Sequence, residues 1–196
     1  MTDTSDAPPP LVRHLESHLG AIVNGNIFEE PRVQVVRFED RPFKGAVTYS
    51  TLGVSNHVLP QASGSSIRQE LILSCHSRFN GWRPGRLLAV VAQDVLREHK
   101  ALERGQVLGP AGPIREGSTA HGFYCAPPTC LPDSFAEFGD SRPATVFVWL
   151  VPITHAEFHF VWERGWSAFE DLLVTMDPDL WDLTRPSAAP EPNDVR

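Results

Sequence analysis

The spacing of apolar residues in the first third of the chain predicts one helix followed by strands. Between Leu11 and Ile22 apolar residues recur every three or four positions, which is typical of an amphipathic helix. Segments rich in β-branched and aromatic residues follow, separated by turn-forming stretches. These segments, 33–38, 46–54 and 67–75, are predicted to be antiparallel neighbours in one sheet.

The third of these segments has two alternating sets of side chains. Ile67, Leu71 and Cys75 belong to the set that points to one face, whereas Glu70 and Ser74 belong to the other. The first set is the more apolar. We therefore expect one face to contact the core and the face of Glu70 to be partly exposed to water.

The middle of the chain contains a second helix and a long irregular region. After Pro84, apolar residues keep helical spacing as far as Leu102, so this helix is expected to lie across the sheet. From 104 to 142 the pattern is replaced by Gly, Pro and short apolar pieces. Only 107–108 and 121–126 resemble strands there.

The last third of the folded chain predicts a strand and two helices. In 144–153 both alternating sets are apolar, which is typical of a central strand covered on both faces. Thr154 and Ser167 each precede a carboxylate by three residues, so both fit a capping box at a helix start. Gly165 separates the two helices, and Trp162 is assigned to the core.

Together these elements predict an α+β fold with a mixed, largely antiparallel sheet packed against helices. Residues 11–185 are expected to form one domain. The polar, proline-rich ends, 1–10 and 186–196, are predicted to be disordered tails.

Charge and composition exclude several classes of protein. The net charge is −7, from 24 acidic and 17 basic residues, and no run of Lys or Arg occurs, which argues against nucleic-acid binding. The first ten residues lack the pattern of a signal peptide, and no segment has the length of a membrane span. We therefore expect a cytoplasmic protein that binds no membrane. We also expect free thiols, because an odd number of cysteines, 3, leaves at least one without a disulfide partner.

One group of residues has the chemistry of a metal or nucleophile site. His121, Cys125 and Cys130 lie within ten positions of one another, and imidazole and thiolate are ligands that zinc prefers. The group lacks a fourth ligand in register, so neither a metal nor another cofactor is expected. A cysteine- or zinc-dependent hydrolase that uses these three residues stays open as the alternative.

Tryptophan supplies the candidate binding residues. The chain has 5 tryptophans, a residue that is common at protein-binding hot spots as well as in cores. Trp149 lies in the central strand pattern and is assigned to the core. Trp82 and Trp166 each follow or precede a glycine in a connection, and we consider them candidate exposed contacts.

Several short segments, in the same order along the chain, resemble the suppressor of fused-like domain family. The similarity covers about 45–187, and the succession of segments carries it. The matching segments are YSTLGVS at 49–55, SIRQELILSC at 66–75, the helix and strand from 81 to 108, HGFYCAPP at 121–128, and VPITHAEFHFVWERGWSAFEDLL followed by DLWDLTRPS at 151–187.

The resemblance implies an α+β sandwich and a role without catalysis. Animal members bind a zinc-finger transcription factor, and bacterial members are commonly predicted to be immunity proteins that neutralise toxins. This chain resembles the bacterial, single-domain type. Glu70 matches a glutamate of the family strand and is a candidate contact residue, or else a surface or loop-paired carboxylate.

The sequence thus favours an intracellular protein-binding domain that inhibits or regulates a partner protein. The partner would be a toxin, an effector or a regulatory factor.

Overall fold

The long strand Thr145–Thr154 is central to the fold because both of its faces are apolar. The computed structural model describes residues 7–79 and 84–191. Nine strands are present in this part of the chain: β1 (Asn24–Phe28), β2 (Val33–Glu39), β3 (Ala46–Leu52), β4 (Leu59–Pro60), β5 (Ser66–His76), β6 (Val107–Leu108), β7 (Ala120–Ala126), β8 (Glu137–Phe138) and β9 (Thr145–Thr154). The α-helices of the same residues are α1 (Pro10–Leu19), α2 (Pro84–Glu98), α3 (His155–Arg164) and α4 (Trp166–Met176).

The strands form one mixed sheet in the order β1-β2-β3-β5-β9-β7-β6, with β4 added on β5 and β8 on β9. Neighbouring strands are antiparallel except β5 and β9, which run parallel with Leu71 opposite Val148. The three predicted strands β2, β3 and β5 are antiparallel neighbours. The predicted α+β class with a largely antiparallel sheet is therefore confirmed.

The sheet is covered on both faces, so the molecule has three layers. On one face α2 packs on β2, β3 and β5 through residues such as Leu88 and Ala92. On the other face α1, α3 and α4 contribute Leu15, Phe158 and Phe169 to a second apolar cluster. Burial of two such clusters is the main stabilising contribution to a domain of this size.

The expectation that the Glu70 face of β5 is partly exposed to water was wrong for the middle of the strand, although Arg68 and His76 at its ends are half-buried. Glu70, Ile72 and Ser74 are fully buried, like the set on the opposite face. Ile72 belongs to the same apolar cluster as Leu15 of α1 and Phe147 of β9. The alternation of β5 identified its two faces correctly, but the layer that covers the second face comes from distant parts of the chain.

The two predicted capping boxes have different outcomes. At α3 the box is present: Thr154 Oγ1 accepts the Glu157 N–H at 3.2 Å, and Glu157 Oε2 accepts the Thr154 N–H at 2.9 Å. At α4 it is absent, because the helix begins at Trp166 and Gly165 takes the cap position in place of Ser167.

Trp149 is buried as predicted.

The assignment of Trp162 to the core was wrong. Its side chain is 77% exposed, whereas Phe158 and Val161 of the same helix are buried. The helical spacing placed all three on one stripe, but only Phe158 and Val161 of that stripe are buried. This helix therefore contributes fewer residues to the core than its periodicity indicated.

The segment after α4 runs back over the domain and continues past Arg185. Ser118 Oγ donates to the Leu183 carbonyl at 2.7 Å, and Thr119 Oγ1 donates to that of Arg185 at 2.7 Å. Ala189 is buried, although 186–196 was predicted to be a disordered tail.

None of the helices in the described ranges is both long and apolar enough to cross a lipid bilayer.

Candidate functional site

Glu70 lies inside the domain and holds the turn that follows β3. Its Oε2 accepts a hydrogen bond from Thr51 Oγ1 at 2.5 Å. Its Oε1 accepts from the Gly53 N–H at 2.9 Å and from the N–H and Oγ of Ser55 at 3.1 and 2.6 Å. The carboxylate thus joins the two segments YSTLGVS and SIRQELILSC, and it is paired with a loop and not exposed.

The environment of Glu70 has opposing effects on its proton affinity. Burial is the largest influence and raises the pKa of the carboxyl above its usual value. The donors from Ser55, Thr51 and Gly53 lower it in part. A buried carboxyl with this many donors restrains the turn, and in this position it has no access to a partner protein.

Two further buried polar groups have the same architectural role. On β5, Gln69 Nε2 donates to the Leu102 carbonyl at 2.7 Å and its Oε1 accepts the Leu102 N–H at 2.9 Å, which fixes the segment after α2. On α3, Glu157 receives two hydrogen bonds from Arg185 and one from the Ala188 N–H. The polar residues of the DLTRPS and THAE segments therefore bind each other.

The group His121, Cys125 and Cys130 does not converge into one site. Cys125 is buried in the cluster under α2, whereas Cys130 packs against the cluster on the opposite face of the sheet. The His121 ring contacts that of His155, with centroids 5.8 Å apart. Across residues 7–79 and 84–191, no three His, Cys, Asp or Glu side chains are placed to hold a metal ion.

The thiols of the described residues are poorly suited to nucleophilic chemistry. Burial raises the pKa of Cys75 and of Cys130 to about 11 and that of Cys125 to about 12. A reactive cysteine needs the opposite shift, because the thiolate is the nucleophile. The geometry therefore gives no support to the hydrolase alternative.

Trp166 lies at the surface on the first turn of α4, whereas Trp82 lies outside the described residues. The Trp166 side chain is 43% exposed and lies against the backbone of Gly105. A Cβ atom at Gly105 would be 2.5 Å from Trp166 Cγ, so only glycine leaves room for the indole. Arg104 covers the ring with its guanidinium 4.9 Å from the centroid, a cation–π contact.

A chain of contacts leads from Trp166 to a groove beside α4. Arg104 forms a bidentate ion pair with Glu170, and Glu170 Oε1 also accepts a hydrogen bond from Tyr124 at 2.8 Å. This ion pair lines one end of a groove of about 310 Å³, whose apolar wall includes Pro127 and Val174.

The exposed side of α4 combines apolar and acidic side chains. Val174 and Met176 are exposed, and Asp171 and Asp177 form no ion pair within the described part of the chain. We refer to Trp166, Arg104, Glu170, Asp171, Val174 and Asp177 as the α4 surface.

Only part of this surface was predictable from the sequence. Trp166 was predicted as a candidate contact because it follows Gly165, but neither Arg104 nor Glu170 was predicted to belong to a binding surface. One signal was available: Trp166, Glu170, Val174 and Asp177 recur at helical spacing along one side of α4. The pairing with Arg104 spans 66 positions and has no local signature.

Together these features define a three-layer α+β domain whose buried polar groups hold its own loops and whose candidate site is an exposed surface. The chain belongs to the suppressor of fused protein (SUFU) family, whose model matches residues 29–186. The resemblance seen in the sequence is thereby confirmed.

The relatives include bacterial and animal proteins. The chain is 21% identical to Immunity protein YqcF of Bacillus subtilis over 158 aligned residues. The alignment covers 79% of this chain and 81% of that protein. A SUFU homologue from Neisseria gonorrhoeae has a similar structure, with a TM-score of 0.73, 18% identity and coverage of 93% of this chain and 97% of the other.

Two further structures share the fold. Drosophila Suppressor of Fused gives a TM-score of 0.68 with 13% identity, covering 92% of this chain but 52% of the Drosophila chain. This chain therefore corresponds to about half of that protein. A structure of the Sufu–Fu complex gives a TM-score of 0.58 with 13% identity and 85% coverage of both chains.

Proposed function

We propose that the chain is a cytoplasmic, non-catalytic protein-binding domain that inhibits or regulates a partner protein in the manner of an immunity protein. The partner is a toxin, an effector or another regulatory factor. One relative bears the name immunity protein, and one structural neighbour was determined as a complex of Sufu with Fu. Both names support a role in binding another protein.

The observation that carries this proposal is the internal use of the polar residues in the family segments. Glu70 and Glu157 each accept several hydrogen bonds from within the domain. Catalysis needs groups that converge on a substrate-sized space and are free to exchange protons. In the residues that the structure describes, these carboxylates instead fix loops that shape the surface.

We propose the α4 surface as the contact with the partner, with Trp166 at its centre. Tryptophan and arginine are enriched at binding hot spots, and the Arg104 stack holds the indole in one position before binding. Asp171 and Asp177 add negative charge to a chain of net charge −7, so a basic partner segment with an apolar anchor fits best. Trp82 stays a second candidate contact.

Co-expression with each protein encoded beside the gene tests the proposal. If one of these proteins is toxic, we expect the wild-type chain to restore growth and to co-purify with it. Trp166→Ala should weaken binding by about 2 kcal/mol or more, the cost typical of a hot-spot residue. Failure of the wild-type chain to bind or protect against any of the neighbouring proteins would count against the proposal.

The control is Val90→Ala on α2. Val90 is as exposed as Trp166, at 43%, but lies in the layer on the opposite face of the sheet. Its removal should change binding by less than about 0.5 kcal/mol. Equal losses in both variants would exclude the α4 surface as the contact.

A further inference from the structure

β1 is an open edge of the sheet. Within the described residues it pairs with β2 alone, in a regular register from Asn24 opposite Arg37 to Phe28 opposite Val33. In an antiparallel strand, alternate residues direct their N–H and C=O groups away from the paired neighbour. The first four residues of β1 are exposed. Among the described residues, β1 therefore presents backbone donors and acceptors that have no partner and face solvent.

The sequence of β1, NGNIF, contains none of the features that usually block an edge. Natural edge strands avoid further pairing through lysine, proline, a bulge or short length. β1 has no charged residue and no proline, and Ile27 is 51% exposed. At the other end of the sheet, β6 has only two residues and both are half-buried. Pairing is thus possible at β1 and restricted at β6.

A groove lies on each side of β1. On the α2 side a groove of about 440 Å³ is lined by Asn24, Asn26 and Phe28 together with Tyr49 of β3. On the α1 side a groove of about 470 Å³ is lined by Ile27 together with Leu52. An added strand has the same two-residue alternation as β1. Its successive side chains would therefore lie over the two grooves in turn.

Both grooves carry positive charge. The charged side chains that line the α2-side groove are Arg37 and Arg86, and Arg32 lines the α1-side groove. Arg37 is paired with Glu39 at 2.6 Å. Arg32 and Arg86 are exposed and form no ion pair with any other described residue. In a chain of net charge −7, this concentration of arginine favours acidic side chains in the occupant.

We propose that β1 binds an extended, acidic segment of another protein as an additional strand of the sheet. Backbone hydrogen bonds to β1 would hold the segment, and its alternate side chains would enter the two grooves, where carboxylates would contact Arg32 and Arg86. This edge is separated from β9 by three strands, so it is distinct from the α4 surface. The proposal does not depend on the proposed function.

Selection of short random peptides displayed on phage, with the full chain as the target, tests this proposal. We expect the enriched peptides to carry Asp or Glu in alternation with apolar residues, and their affinity to fall with added salt. Each enriched peptide is then synthesised in two forms. In one form the backbone nitrogens of the odd-numbered residues are methylated, and in the other form those of the even-numbered residues. One frame should abolish binding and the other should preserve it, because only one set of N–H groups faces β1.

Matched variants locate the binding site. Ile27→Glu should weaken peptide binding at least about tenfold, because it places a like charge beside the acidic segment. Met176→Glu is the control, because it makes the same change in charge at an apolar residue that is 55% exposed, compared with 51% for Ile27. It should change the affinity for the peptide less than about twofold. Arg32→Glu, which leaves the backbone of β1 intact, should weaken binding as Ile27→Glu does.

Several results would overturn the proposal. They are the absence of enriched peptides, enrichment without acidic residues, equal binding of both N-methylated forms, and equal effects of Ile27→Glu and Met176→Glu. Analytical ultracentrifugation adds one more: dimers of the wild-type chain that Ile27→Glu dissociates would identify a second copy of this chain as the occupant.

Discussion

Arg185 binds Glu157 through two parallel hydrogen bonds, Nη1 to Oε1 at 2.5 Å and Nη2 to Oε2 at 2.7 Å. The two side chains are 5% and 0% exposed. The same carboxylate caps α3 through the Thr154 N–H and accepts the Ala188 N–H. One buried ion pair therefore connects the start of α3 to the segment that follows α4.

Removal of Arg185 should destabilise the domain strongly. Arg185→Ala leaves the Glu157 carboxylate buried without its counter-charge, and such losses cost about 3–5 kcal/mol. Arg104→Ala is the control, because Arg104 also forms a bidentate pair but is 54% exposed, and exposed pairs contribute about 0–1 kcal/mol. Urea denaturation measures both. Similar costs for the two variants would contradict this interpretation of the buried pair.

Glu70 should make the stability of the domain depend on pH. Burial raises the pKa of its carboxyl above 4.5 in the folded state, so folding favours the protonated form. The stability that Glu70 contributes is therefore greatest below the unfolded-state pKa and decreases as pH rises through the folded-state pKa. Glu70→Gln cannot titrate. The free energy of unfolding of the wild type, minus that of Glu70→Gln, should decrease as pH rises above about 4.5.

Urea denaturation over a pH series measures this difference. Glu137→Gln, which removes one exposed carboxyl on β8, is the matched control for the loss of one negative charge. An increase of the Glu70 difference with pH would mean that the donors from Thr51, Gly53 and Ser55 outweigh burial.

A strand or helix was predictable where the pattern of residues within that segment was enough to identify it. β9 was identified because both of its alternating sets are apolar, and α3 because Thr154 and Glu157 form a complete capping box. Local patterns do not show which distant element covers a face. The burial of Glu70 could not be predicted for this reason, since its carboxylate is held by Thr51, Gly53 and Ser55, which are 15–19 positions away.

The candidate site was less predictable than the fold. Trp162 and Trp166 are four positions apart and lie on either side of one glycine, and both are exposed, yet the helical pattern assigned Trp162 to the core. The pairing of Glu157 with Arg185 joins residues 28 positions apart, so a cap could be predicted but not its ionic partner. Contacts between distant segments define both the core boundary and the α4 surface.

The three cysteines should react slowly in the folded chain. Burial raises the pKa of Cys75 and Cys130 from 9.0 to about 11, which leaves roughly a hundredfold less thiolate at neutral pH than in the unfolded chain. We expect Ellman's reagent to modify the native protein slowly and all three thiols rapidly in denaturant. One thiol that reacts rapidly in the native protein would revive the hydrolase alternative.

Gly105 should be intolerant of a side chain because Trp166 lies against it. Gly105 has φ +88°, and an added Cβ would lie 2.5 Å from Trp166 Cγ. Gly105→Ala therefore adds displacement of the indole to the backbone strain of a positive φ. Gly112→Ala is the matched control, since Gly112 has φ +90° but no atom within 4 Å of an added Cβ. Backbone strain alone costs about 1–2 kcal/mol in each variant.

We expect Gly105→Ala to lose about 1–3 kcal/mol more than Gly112→Ala, the usual cost of overpacking. Urea denaturation gives the two free energies of unfolding. If the α4 surface binds the partner, Gly105→Ala should also weaken that binding, because the displaced indole loses its contact with Arg104. Equal destabilisation by the two substitutions would show that Trp166 moves aside without cost and is not fixed in one position before binding.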